Sequence, residues 1–296
     1  MVLAQILFTV LAFSSIEVVA NPIRQQIDPF VMTFWRFFLG SILLFPIVFW
    51  QTREKGMAKR FSKADWLTLS WLGALNIIFA MGAHAVSIKH VKASTAAMLV
   101  AANPLATNFF AWLLLKEKLP ANRLIALGLG LIGVCLIALR PVTGQDTIFG
   151  MAAGVIGMAG FALYTVLSKD IVQRLGSLQV TAFSFLLGVL IDLPILLISG
   201  VPLRPAADLW PRLLVLGFFV SGMGYLTFFR VLAVLPAGKT SLLFFLKPPV
   251  AILLAWILLS ETPTTSALVG STIIMTGIAL DVFGRQSGLS ERLPVK

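Results

Sequence analysis

The chain is poor in the side chains on which most soluble enzymes depend. Of its 296 residues one is cysteine, two are histidine and two are tyrosine, and only 12% are charged. The single thiol, Cys135, excludes a disulfide framework and a thiolate metal cluster. His84 and His90 are too few for a multi-histidine metal site. There is no Gly-rich phosphate loop followed by Lys and no His-Glu-x-x-His, which removes P-loop nucleotide chemistry and zinc-peptidase chemistry. No catalytic residue, cofactor or metal is therefore expected. The charge deficit is the widest departure, because a soluble domain carries about 25% charged residues.

What the chain has in plenty is apolar surface. Hydrophobic residues make up 58% and the mean hydropathy is +0.96, more than a soluble core of this length hides. The net charge of +11 does not mark a nucleic-acid face, because most Lys and Arg sit in short segments between apolar runs. A membrane-crossing helix needs roughly 20 apolar residues. Ten such runs are present: 3–22, 30–50, 65–88, 93–115, 121–140, 148–168, 178–199, 210–235, 239–259 and 264–284. They are continuous rather than alternating, which predicts an all-α integral membrane protein in a lipid bilayer and not a β-barrel. The first run lacks a basic leader and contains Glu17, so it reads as a retained helix. With the N-terminus cytoplasmic, fourteen Lys and Arg fall on the inner side and six on the outer, which places both termini inside.

The runs repeat. Residues 97–139 align with 241–283 at a shift of 144, with ten identities in 43 positions and no gap. Pro104 meets Pro248, Ala111-Trp112 meets Ala255-Trp256, Glu117 meets Glu261 and Gly133 meets Gly277. Earlier in each half a shift of 148 pairs Thr33 with Thr181, Leu39-Gly40 with Leu187-Gly188 and Pro46 with Pro194. Five runs per half is an odd number, so the second copy enters the membrane from the opposite side. The predicted architecture is ten transmembrane helices as two inverted five-helix repeats, 1–141 and 148–284, with a cytoplasmic tail over 285–296. Inverted repeats place substrate near mid-membrane and work by alternating access.

The segments AAMLVAANPLATNFFAWLLLKEKLPANRLIALGLGLIGVCLIAL and SLLFFLKPPVAILLAWILLSETPTTSALVGSTIIMTGIALDVF resemble the EamA domain, the repeat unit of the drug/metabolite transporter superfamily. FWRFFLGSILLFP, residues 34–46, is similar to that family's Arg-containing second helix. The resemblance covers nearly the whole chain. It implies ten helices and a role in bacterial export of amino acids, related metabolites or drugs across the inner membrane.

Ionisable groups in hydrocarbon are expensive unless they face a cavity or a partner. Glu17, Arg36 and His84 fall in the outer halves of the first three runs. Glu17 and Arg36 suit a pair with His84 beside them, read either as packing glue or as a proton-exchanging group; Arg230, low on run eight, joins this charge set. Lys247 is the expected substrate contact. Its own helix carries no acid until Glu261, about 20 Å further on. Pro248 and Pro249 follow it at once and are expected to kink or interrupt the helix. Asn103-Pro104 repeats the device in run four, and paired helix breaks point to a transporter's central site. An ammonium there suits a carboxylate; the alternative is snorkelling, or pairing with Asp281. Tyr164, Tyr225 and Phe228 are expected on the cavity wall, and Trp112 with Trp256 between helices. The spacing Gly150, Gly154, Gly157, Gly160 predicts close helix contact.

These features read together as a secondary transporter, not an enzyme, that moves small metabolites outward, chiefly amino acids, aromatic or hydrophobic ones among them. Phosphorylated or nucleotide-linked sugars are the alternative, since relatives use basic residues on late helices, where Arg230 and Lys247 stand; drug-like cations are another. An integral membrane enzyme is less favoured, for want of an acid/base or metal constellation. The partners are a small-molecule substrate and the bilayer, with no nucleic acid; monomer and homodimer both stay open.

Overall fold

The computed structural model describes residues 1–55, 61–91, 96, 99–138, 147–250, 252–253 and 265–283, and among these there are helices and turns but no strand. Helix α1 is Val2–Ala20, bent at Ser15, and α2 is Pro29–Lys55. Helix α3 is Lys63–His90, α4 is Leu99–Leu115 with a break at Ala102, and α5 is Ala121–Ala138. Helix α6 is Ile148–Leu175, α7 is Ser177–Ser199 and α8 is Ala207–Val234. Helix α9 starts as Ala237–Ser241 and tightens to a 3-10 turn over Leu242–Leu246; α10 is Thr265–Phe283. Six of them are long and apolar enough to cross a membrane: α1, α2 over Pro29–Gln51, α3, α6, α7 and α8. Leu99–Leu115, Ala121–Leu136 and Leu268–Asp281 are apolar but shorter. Much of the start of run four and most of the second half of run nine lie outside the described residues, as do Trp256, Glu261 and the tail.

Local chemistry sets the helix ends. At α3 the Ser62 hydroxyl accepts from Asp65 N at 3.2 Å while Asp65 accepts from Ser62 N at 2.8 Å, a reciprocal cap. Thr147 caps α6 by accepting from Gly150 N at 3.0 Å. Helix α6 runs seven residues past the sequence expectation and stops at Gly176, whose φ of +96° suits glycine alone. Pro46 and Pro194 lie inside α2 and α7 without ending them.

Both α3 and α8 widen to π-helix at mid-length, over Leu75–Met81 and Val215–Gly224. Glycines bring their neighbours against them. A Cβ at Gly40 on α2 would lie 3.1 Å from Gly222 N and 3.2 Å from Gly217 O on α8; one at Gly188 on α7 would lie 2.6 Å from the Gly73 carbonyl on α3. In the same manner Gly133 on α5 meets Gly270 and Ile274 on α10, while Gly277 on α10 meets Ala126 and Leu129 on α5. The predicted stripe on α6 also behaves as a contact surface: Gly157 lies against the Ala80 carbonyl and His84 backbone, and Gly150 against His90. This close approach of α3 and α6 builds one side of the internal cavity.

Candidate functional site

A small cavity sits where α1, α3, α4, α6, α8 and α9 converge. Its lining divides into a polar part, His84, Asn103 and Lys247, and an apolar part that includes Phe13, Phe161, Tyr225 and Phe244. The volume is about 30 Å³. On that measure one water needs roughly 10–15 Å³, so two waters fill it and an amino acid does not.

The polar side chains come from three helices at irregular points of their backbones. His84 follows the π segment of α3 and is 3% exposed. Asn103 begins the second part of α4 at the Ala102 break; its Nδ2 donates to Met158 O at 3.1 Å, and its Oδ1 accepts from Thr107 Oγ1 at 2.9 Å. Lys247 is 4% exposed and stands at the end of the 3-10 turn Leu242–Leu246. That turn is where Pro248 and Pro249, each lacking an N–H and crowding the carbonyl four residues back, are expected to disturb an α-helix. The backbone stays helical through both prolines, so the predicted interruption is a tightening just before Lys247 rather than a kink after it. A cation held at this depth, beside an amide and an imidazole, is set up to meet an anionic group that enters the cavity.

The apolar part is a packed aromatic layer. The Phe161 ring lies 5.9 Å from Tyr225, 5.3 Å from Phe244 and 5.9 Å from Phe228, and the Phe13 ring lies 5.2 Å from Tyr225 and 5.8 Å from Phe244. The Tyr225 hydroxyl reaches Asn76 Oδ1, in the π segment of α3, at 3.5 Å. Phe161, Phe13 and Phe244 carry no charge to single them out among 23 phenylalanines, and sequence reasoning did not select them. The repeat shift of 148 matches Phe13 with Phe161, and their spacing of about one turn from Ile16 and Gly157, like that of Phe244 from Lys247, is the further signal that could have suggested them.

Four of the residues picked from sequence thus share one cavity: Lys247, Asn103, His84 and Tyr225. Tyr164 and Phe228 do not line it. They are buried one layer behind Phe161, with ring centroids at 6.0 and 5.9 Å from it, because they lie three residues further along α6 and α8 and so point to the next layer. Arg36 is buried beside the Phe37 ring, 5.6 Å from its centroid. The Glu17 side chain lies outside the described residues, and its expected pairing is untested. Arg230 corrects the sequence reading: it is exposed, on the face of α8 opposite the buried Phe228 and Leu232, and belongs to no buried charge set. Asp281, the alternative partner expected for Lys247, has Arg123 Nε and Asn122 Nδ2 each 3.5 Å from its Oδ1. Trp112 is 54% exposed and faces outward rather than packing between helices.

One end of the cavity is tied by side chains that cross between helices. Both oxygens of the Glu117 carboxylate accept from the start of α9, from Ala237 N at 2.7 Å and Gly238 N at 3.1 Å. Asn108 Nδ2 donates to Gly238 O at 3.1 Å. Lys169 Nζ donates to the carbonyls of Leu232 and Leu235 at the close of α8, where a cation complements the helix C-terminus. Arg174 pairs with Asp65 at the start of α3.

Known proteins agree with this architecture. The chain matches the EamA-like transporter family over residues 1–139 and 148–283. It is 28% identical over 281 residues to an uncharacterized transporter of Clostridium kluyveri, covering 92% of this chain and 90% of that protein. A probable terminal-alkyne amino-acid exporter of Streptantibioticus cattleyicolor is 27% identical over 195 residues, 64% of each chain. A solved crystal structure superposes with a TM-score of 0.77 over 94% of this chain and 95% of its own, at 16% identity, a likeness of fold alone.

Proposed function

We propose, for a chain that belongs to the EamA-like transporter family, that it carries small amino-acid-like carboxylates outward across a bacterial inner membrane, with Lys247 as the anchor for the carboxylate. The observation that carries this reading is the near-complete burial of Lys247 on the wall of a cavity otherwise lined by aromatic and small polar groups. A zwitterion with an apolar side chain matches both parts of that wall. The relative named as an amino-acid exporter supports the class.

The mechanism is alternating access between two inverted five-helix halves, 1–141 and 148–284, with both termini cytoplasmic. Reciprocal packing supports it. At the shift of 144, Gly133 corresponds to Gly277 and Ala126 to Gly270, and Gly133 meets Gly270 just as Gly277 meets Ala126. Gly40 against Gly217 and Gly188 against Gly73 form a second such pair. Contacts in which i meets j′ and j meets i′ are those a twofold axis generates. The cavity draws α1, α3 and α4 from one half and α6, α8 and α9 from the other, so rocking the halves opens it. Its small volume makes that opening a requirement: about 30 Å³ is too tight for the substrate.

Uptake of labelled amino acids into proteoliposomes, with and without an imposed pH gradient, tests the class and its coupling. Lys247→Ala is expected to weaken a carboxylate substrate by about 10- to 100-fold, the worth of one charge-assisted hydrogen bond, and its amide analogue far less. Equal losses for acid and amide would overturn the assignment. Phosphorylated sugars are disfavoured by the exposed position of Arg230, which leaves that reading without the second cation it drew on.

A further inference from the structure

Three helix starts among the described residues are capped from within their own neighbourhood: Ser62 with Asp65 at α3, Thr147 at α6, Asp28 at α2. Helix α9 differs. The first turn of a helix presents N–H groups that have no partner inside it, and here two of them are taken by a carboxylate from the far end of α4, some 120 residues away in sequence. A carboxylate at that position gains from both the charge-assisted bonds and the helix dipole. The junction is close as well as polar. A Cβ at Gly238 would collide with the Asn108 carboxamide, whose Nδ2 donates to Gly238 O and, at 3.4 Å, to Ser241 Oγ.

What the junction controls follows from the chain. Ten residues beyond Ala237 on the same element stands Lys247, about 15 Å away at helical rise, and between them is Phe244 of the aromatic layer. On α4, the helix that Glu117 follows by two residues, stands Asn103. The aromatic layer is displaced toward this same end. Phe244 precedes Lys247 by three residues and so lies nearer Ala237, while Phe161 follows Gly157 toward Lys169, which binds the carbonyls at the close of α8. Thr9 on α1, on the Phe13 side of Ile16, bonds Thr227 of α8 at 2.9 Å. Two consecutive barriers therefore close one end of the cavity: the ring layer, and beyond it the Glu117 junction.

We propose that Glu117 is the latch of that end, a positioning residue that holds α9, and with it Phe244 and Lys247, against α4 in the closed state and must release Ala237 and Gly238 for the cavity to open there. This rests on the cavity being the transport site, but its test needs no substrate. In full-length protein carrying Cys135→Ser and Met158→Cys, reconstituted in liposomes, a membrane-impermeant maleimide added from either side reports which end admits it to the cavity. Glu117→Ala is expected to speed labelling from the Glu117 end about tenfold, the worth of a lost charge-assisted bond, with no rise from the other end. Glu117→Gln, which keeps one acceptor oxygen, is expected to fall between. Gly238→Ala, which pries the same junction from the α9 side, is expected to act in the same direction and keeps the question answerable should a Glu117 variant fold poorly. Labelling from that end unchanged in the Glu117 variants and in Gly238→Ala, or raised equally from both ends, would overturn the latch. If instead the labelling responds as expected and Lys247→Ala proves indifferent to the substrate carboxylate, the latch stands and the substrate reading falls.

Discussion

The two walls of the cavity are built on different terms. The polar wall is three side chains from three helices, each placed beside a backbone irregularity: the π segment before His84, the break before Asn103 and the 3-10 turn before Lys247. The aromatic wall is a continuous network of rings from α1, α6, α8 and α9, locked by edge and tilted contacts at 5–6 Å. A buried cation in a membrane costs free energy that the fold must offset elsewhere. Buried rings contribute packing, about 0.5–1.5 kcal/mol per favourable pair beyond their area. The comparison points to a division of labour, in which the aromatic wall holds those four helices together and the polar wall carries the recognition role proposed above.

The largest expected effect tests the aromatic side. Phe161 touches four other rings, so Phe161→Ala leaves a hole that its neighbours on α6, α8 and α9 cannot close. A loss of about 3–5 kcal/mol is expected, read as a fall in thermal unfolding temperature in detergent, with much of it recovered by Phe161→Leu. If Phe161→Ala unfolds like the parent yet transports nothing, the aromatic wall is a recognition surface and the division fails.

Next comes Lys247→Met, which removes the cation and keeps the bulk. Transport of the carboxylate substrate is expected to drop by about 10- to 100-fold, while thermal stability falls by less than it does in Phe161→Ala, because the variant no longer buries a charge. Equal destabilisation by the two variants would erase the distinction between the walls. Tyr225 stands on the border. Tyr225→Phe retains ring contacts with Phe13, Phe37, Phe161 and Phe185 and removes only the hydroxyl that reaches Asn76 at 3.5 Å. An effect under about 1 kcal/mol on stability is expected for so long a bond, with transport close to that of the parent.

The same contrast explains what the sequence reveals. Lys247, His84 and Asn103 stand out because polar groups in apolar runs are costly and therefore carry information. Pro104 and Pro248 stand out because their effect on a helix is fixed by the ring. Phe13, Phe161 and Phe244 have no such signal: an apolar residue in an apolar helix is equally at home on the outer surface, where Phe109 and Phe149 stand at 53% and 64% exposed. Helical phase is legible in soluble proteins from the alternation of polar and apolar faces, and in lipid that alternation is absent, so Tyr164, Phe228 and Trp112 were misplaced by a fraction of a turn or by facing. The π segments are also silent in sequence, since nothing in LNIIFAM or VLGFFVSGMG departs from ordinary apolar helix. Glu117 was visible as a repeat-matched acid, but its partners are backbone groups of a distant helix, and only the packing of α4 on α9 brings them together.

Arg230 gives the smallest expected effect and the sharpest check on where the pathway runs. By sequence it is one more cation within an apolar run, equivalent in kind to Lys247. By structure it is exposed, while Phe229 and Val231 on either side of it are fully buried. An exposed arginine away from a packed or paired site changes stability by no more than about 0.5 kcal/mol when truncated, and one that does not touch the cavity leaves substrate affinity alone. Arg230→Ala is therefore expected to transport and unfold like the parent, measured in the same proteoliposome and thermal assays as Lys247→Met. A tenfold loss of transport in Arg230→Ala would place a second cation on the substrate's route, outside both walls, and would return an anionic substrate with more than one charge to the front. The two cations on late helices are thus separable by burial alone: Lys247 is 4% exposed on the cavity wall, and Arg230 is exposed on the opposite face of α8 from Phe228 and Leu232.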